Sequence, residues 1–345
     1  MRVDGNIGGT VDGTGGAELA ELDAQVDAAE RAGFDGVWST EVGRDPFLPL
    51  ALAARRNPRL QLGTAVAVAF ARNPMTVAAT ANDLHHLSGG RFTLGLGSQV
   101  RAHITRRFGM PWSSPAERMR EFVAAVRAIW ASWATGTTLN FRGDFYEHTL
   151  MTPMFTPPPN PWGTPPILVA AVGARMTAAA AESADGLIVH GFTSQRYLTE
   201  VTTATVARGL AGSGRERGDF TVTYPGLVAT GDDERSFAAA RTAVREQIAF
   251  YAATPAYRGV LDLHGWGDLH AELRRLAGLG RWSAMTDIID DTVLGTFAVV
   301  GEPAAAGAEI ARRFGGLVDR FTLYTPYPIS DAARRDVITA VRGAG

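Results

Sequence analysis

Glu41 is the one carboxylate that this chain sets directly at the end of an apolar run, Gly36 to Thr40. A carboxylate in such a place, partly withdrawn from water, is a candidate general acid or base. Asp45, four residues on and directly before Pro46, reads instead as a helix cap. Two of the seven histidines share the position of Glu41: His190 ends the run Gly186 to Val189, and His103 follows the run that ends at Gly97. The others have plainer readings. His85 and His86 lie inside a helical pattern before Gly89-Gly90, and His148, His264 and His270 fall in irregular stretches. No histidine pair has the HxxxH spacing of a metal site, and there is no GxSxG nucleophile elbow. Cysteine is absent, and all 33 basic residues are arginine. Thiol catalysis, disulfides, thiolate metal sites, Schiff bases and a P-loop lysine are therefore excluded.

Two backbone motifs add binding chemistry. Gly95-Leu96-Gly97-Ser98 follows an apolar run but lacks the third glycine of a dinucleotide fingerprint. Ala170-Ala171-Val172-Gly173-Ala174-Arg175 reads as strand, turn and helix start, where free N–H groups can hold a phosphate and Arg175 adds charge. Trp112, after Met110-Pro111, is a candidate wall for a flat ligand.

The elements that must position these residues alternate regularly. Leu60 to Ala69 is an apolar run, Pro74 opens a helical pattern, and Phe92 to Gly97 is a second apolar run. Continuous apolar strands joined by helices suit a parallel sheet buried on both faces. Further strands are expected at Val3–Ile7, Gly36–Thr40, Ile167–Ala170, Gly186–Val189, Thr221–Ala229, Phe297–Val300 and Arg320–Tyr324. Helices are expected from Ala17, Pro115, Ala174, Ser194, Glu234, Glu302 and Asp331, with a glycine-rich connection from Gly8 to Gly16. About eight alternations without a composition break favour one closed (β/α)8 TIM barrel over residues 1–345, rather than a doubly wound sheet. The irregular stretches 135–166 and 253–290 are read as insertions. In such a barrel the C-terminal strand ends form the active rim. Here they offer Thr40, Glu41, Ala65, Val66, Gly97, Ser98, Gln99, Ala170, Ala171, His190 and Tyr324, several of them small enough to admit a large flat ligand.

With 345 residues and 46% hydrophobic content the chain can bury a full core. No run of about 18 apolar residues and no signal-peptide core is seen, so a cytoplasmic protein is expected, with no membrane partner. A net charge of -2, with acids and bases interspersed, gives no nucleic-acid footprint.

The set Gly36-Val37-Trp38-Ser39-Thr40-Glu41, Leu62-Gly63-Thr64-Ala65-Val66, Arg72-Asn73-Pro74, Ser88-Gly89-Gly90-Arg91-Phe92, Gly95-Leu96-Gly97-Ser98 and Ala170-Ala171-Val172-Gly173 resembles the bacterial luciferase-like monooxygenase superfamily. Within it the chain is most similar to the branch of coenzyme F420-dependent oxidoreductases of actinobacteria and archaea. The resemblance covers about residues 1 to 330. It implies a luciferase-like barrel with a non-prolyl cis peptide at Ala65-Val66 supporting a flavin's central ring. It also implies cofactor contacts from Thr40, Gly97, Ser98, Gln99 and His103, and a phosphate held by Ala170, Ala171, Gly173, Ala174 and Arg175. His190 would face the substrate. One departure stands out: relatives often carry an acid–histidine pair at the end of the second strand, and here the pair is Glu41-Val42. Proton transfer is then left to Glu41, His103, His190 or solvent.

The implied activity is hydride exchange between a deazaflavin and a small organic molecule, with coenzyme F420 as cofactor and a homodimer as the expected assembly. Alternatives are an FMN-dependent monooxygenase on the same fold and a flavin-binding barrel without catalysis. A glycosidase needs two facing carboxylates about 5–10 Å apart, and only Glu41 is well placed.

Overall fold

The computed structural model describes residues 1–8 and 19–344. Eight parallel strands close into a ring: β1 Arg2–Ile7, β2 Gly36–Ser39, β3 Gln61–Thr64, β4 Phe92–Gly97, β5 Ile167–Ala171, β6 Gly186–Val189, β7 Thr221–Ala229 and β8 Arg320–Tyr324. Each pairs with its chain neighbour, and β8 returns to β1 with Val3 opposite Phe321. The expected TIM barrel is what forms. Ala298–Val300 is a short strand beside the far end of β7 and does not enter the ring. The glycine-rich connection lies outside the described residues beyond Gly8. The first helix is Leu22–Ala32, after a tight turn at Leu19–Glu21.

Helices cover the ring because their apolar stripes have only the sheet to pack against. Pro115–Thr135 buries Met119, Phe122, Val126 and Trp130, and Gly136 ends it in the left-handed conformation. Inside the ring, layers are set by size. A Cβ on Gly63 would stand 2.1 Å from the Trp38 ring, so the glycine makes room for the tryptophan. Trp38 Nε1 donates to Asp4 at 3.0 Å, and Arg320 grips the same carboxylate through Nε and Nη2 at 2.7 and 2.6 Å. Asp4 is wholly buried. This charged layer fills the ring beneath the strand ends, with Asp4 opposite Thr322 and Arg320 opposite Thr223.

The apolar run expected from Leu60 to Ala69 is interrupted. It forms β3 and then Ala67–Val68, which pairs with Leu96–Gly97, and the bond between the two pieces, Ala65-Val66, is cis. Both insertions carry structure. In the first, Phe141–Arg142 and Glu147–His148 make a small hairpin. It is tied down where the Glu121 carboxylate accepts the N–H groups of Asp144, Phe145 and Tyr146 at 2.9, 2.7 and 2.6 Å. The second is largely helical: Arg258–Leu263, Gly267–Gly278 and Trp282–Asp287 pack with Glu234–Ala252 into their own apolar cluster, centred on Leu261, Leu273 and Ile248. No helix among the described residues is long and apolar enough to cross a membrane.

Candidate functional site

A cavity of about 560 Å³ opens at the C-terminal strand ends. On one side β3, β4 and β5 supply Ala65, Val66, Gly97, Ser98, Ala170, Ala171 and Gly173, and Gln99 follows at the rim. The strand ends are narrow for steric reasons. A Cβ on Gly97 would lie 2.5 Å from Val66 Cγ2, and one on Gly95 only 1.8 Å from the Thr64 carbonyl oxygen. Gln99 takes a left-handed backbone (φ 58°), uncommon for a residue with a side chain. Its Oε1 accepts the N–H of Val100 at 2.9 Å, which holds the turn at the mouth. Trp112 walls the opening. Its ring meets Phe70 edge-on at 5.8 Å, and Arg118 lies over the other ring partner of that stack, 4.6 Å from the Phe70 centroid.

Gly173 precedes the helix Ala174–Ser183, and no side chain caps that helix start. First-turn N–H groups without intrahelical partners are a ready anion site. A Cβ on Gly173 would meet no atom within 4 Å, so the backbone stands open to the cavity it lines. The small strand ends, the open helix start and the volume fit a flat cofactor bearing a phosphate.

The opposite side comes from β6, β7, β8, the helix Glu234–Ala252 and the second insertion, with His190, Thr223, Pro225, Tyr251, Tyr257, Thr322 and Tyr324. The N–H of Phe192 donates to His190 Nδ1 at 3.0 Å. Nδ1 is thus an acceptor, and the ring proton sits on Nε2. Burial pushes the imidazole pKa down to about 4, so the ring is neutral near pH 7. Tyr257 lies tilted against it with ring centroids 4.2 Å apart and Tyr251 meets it edge-on at 4.8 Å, while the Tyr251 and Tyr324 hydroxyls bond at 3.0 Å. Desolvation raises the pKa of Tyr251 and Tyr257 as well, which keeps both phenols protonated.

Of the residues marked in the sequence as site candidates, Thr40, Ala65, Val66, Gly97, Ser98, Gln99, Ala170, Ala171, Gly173 and His190 line this cavity together. Four do not. The carboxylate of Glu41 accepts the N–H of Val68 at 2.7 Å and pairs with Arg72, whose other arm holds Asp45 at 2.9 Å. Glu41 is therefore a clamp between two loops behind the rim, not a free acid or base. Asp45, for its part, accepts the N–H of Phe47 at the start of the next helix, as a capping residue does. His103 lies exposed on Arg101–Arg106, because that short helix buries Ile104 and turns its neighbour to solvent. Ala174 is exposed and absent from the lining. Arg175 is 83% exposed and paired with Glu117 at 2.8 Å, so its guanidinium does not line the cavity, whereas Gly173, just before the helix, does.

The sequence reading missed Asn6, Thr223, Tyr251, Tyr257 and Thr322. Two of these carried a signal: Tyr251 and Tyr257 flank the Pro255 turn directly after a helix that follows β7, where a barrel places a rim loop.

Residues 4–320 match the model of the luciferase-like monooxygenase family. The chain is 54% identical over 337 residues to an uncharacterized protein of Mycobacterium tuberculosis, covering 94% of this chain and 98% of that one. It is 31% identical over 294 residues to a putative coenzyme F420-dependent oxidoreductase of the same organism, covering 80% and 82% of the two chains. The coenzyme F420 dependent tetrahydromethanopterin reductase from Methanopyrus kandleri has the same fold, with a TM-score of 0.82 at 19% identity over 100% of this chain and 99% of that one.

Proposed function

The chain belongs to the luciferase-like monooxygenase family, and from that premise we propose that it is a cytoplasmic, homodimeric, single-domain oxidoreductase using coenzyme F420. The observation that carries this reading is the division of one cavity between a small-residue side on β3, β4 and β5 and a hydrogen-bonding aromatic side on β6 to β8. The likeness to a putative F420-dependent oxidoreductase supports the choice of cofactor.

When bound, the deazaflavin supplies the site where a hydride is given or taken. The chain's own residues do the rest. Ala65, Val66, Gly97 and Ala171 leave a slot for a flat ring system, and the N–H groups that follow Gly173 hold a phosphate. The Nε2–H of His190 positions an oxygen of the substrate. Because Nδ1 is already engaged, His190 acts as a hydrogen-bond donor and not as a base. Tyr251, Tyr257 and Trp112 keep water from the reacting atoms.

Titration of the purified protein with coenzyme F420 and, separately, FMN, followed by fluorescence quenching, tests the proposal. Micromolar affinity for F420 with weak FMN binding supports it. Preference for FMN replaces it with a flavin monooxygenase, and binding of neither leaves a barrel without this cofactor chemistry.

A further inference from the structure

Resting on that assignment of the cavity, we propose that its second half takes an uncharged carbonyl or alcohol compound with an apolar body, whose oxygen is received by the Nε2–H of His190. Three observations support this.

The first is charge. Among the described residues lining the cavity, Arg101 alone carries a formal charge at neutral pH, and it is exposed at the rim on the cofactor side. A carboxylate or phosphate pushed against β6 to β8 would lose its hydration without a counter-ion, and an ammonium would meet no carboxylate. Anionic and cationic substrates are both disfavoured there.

The second is donor geometry. His190 Nε2 has no protein partner, and its proton is fixed there by the bond from Phe192 to Nδ1. A fixed donor in a desolvated wall selects an acceptor, which a carbonyl or hydroxyl oxygen is and a hydrocarbon is not.

The third lies one layer down. Thr223 pairs in register with Ile188, two residues before His190, so all three side chains point into the ring. Thr223 is buried, and its Oγ1 has no hydrogen-bond partner. It offers a second neutral polar contact beneath the first. Around both groups the walls are rings: Tyr257 and Tyr251 pack against the imidazole, and Pro225 lines the cavity two residues beyond Thr223.

The test compares acetophenone with benzoate, which match in shape and differ in charge at pH 7. Saturation-transfer NMR on the protein without cofactor reads their binding. Acetophenone is expected to bind and benzoate to bind at least tenfold more weakly. His190→Phe should weaken acetophenone at least fivefold, and Thr223→Val, which keeps shape, by a smaller factor. Benzoate binding as well as acetophenone, or unchanged acetophenone affinity in a folded His190→Phe or, if that variant fails to fold, in Thr223→Val, overturns the proposal. A repeat at saturating F420 separates the two readings. Displacement of acetophenone would place it in the cofactor's half and reject this inference, whereas failure of F420 itself to bind rejects the cofactor assignment and leaves the acetophenone result standing.

Discussion

The backbone N–H of Phe192 reaches Nδ1 of His190 across 3.0 Å, and this bond settles which ring nitrogen carries the proton. Imidazole nitrogen shifts in labelled protein should therefore show the Nε2–H tautomer, neutral from pH 8 to about 5, with protonation only near 4. A ring that titrates at its ordinary value near 6.5, or that carries its proton on Nδ1, would remove His190 as a fixed donor.

The same burial ties stability to pH. His85, His148, His190 and His264 all have pKa values lowered chiefly by desolvation. The unfolded chain then takes up protons at higher pH than the native one, so stability is complete above about 6.5 and declines as pH falls toward 4. Urea unfolding at pH 7.5, 6 and 5 should give falling midpoints, with a shallower decline in His190→Phe. Equal slopes for the two proteins would show that His190 is not linked to folding.

Much of the barrel is legible in the chain, since strands buried on both faces read as unbroken apolar runs, as in Phe92 to Gly97. Small residues at the strand ends were legible for a related reason: Gly95 and Gly97 have no room for a Cβ. What the chain hides is direction and distance. Glu41 looks catalytic until Arg72, 31 residues on, is seen to claim it. Thr223 sits inside a strand that reads as apolar, and nothing local says that its hydroxyl points inward without a partner. Tyr257 belongs to an insertion, and Tyr251 to the helix just before it, and their placement over the rim depends on packing between helices far apart in sequence.

Asp4 and Arg320 should behave as one unit. Asp4→Ala leaves a guanidinium buried without its carboxylate, and the Trp38 indole without its acceptor. Breaking one side of a buried pair costs about 3–5 kcal/mol. Chemical denaturation should show a loss of that order, and a double variant Asp4→Leu with Arg320→Met should lose less. Additive losses would mean that the pair is not coupled.

Glu41→Gln should weaken folding more than chemistry. The amide keeps an acceptor for the Val68 N–H but loses the charge that holds Arg72. A loss of about 1–2 kcal/mol is expected from a weakened hydrogen bond to a charged group. Cofactor affinity should change less than threefold. A large fall in turnover at unchanged stability would restore Glu41 to the reaction.

The two ends of the phosphate question can be separated by paired variants. Gly173→Val adds a Cβ that meets no protein atom beyond its chain neighbours within 4 Å, so the fold should tolerate it, yet the added carbons stand before the helix start that the ligand needs. F420 affinity should fall at least tenfold while the thermal midpoint stays within a few degrees. Arg175→Ala removes an exposed side chain already paired with Glu117, so its effect should stay below about threefold and shrink further as salt is raised, as expected for a screened surface charge. The opposite ranking, with Arg175→Ala the more damaging variant, would move the anion contact from the backbone N–H groups to the guanidinium.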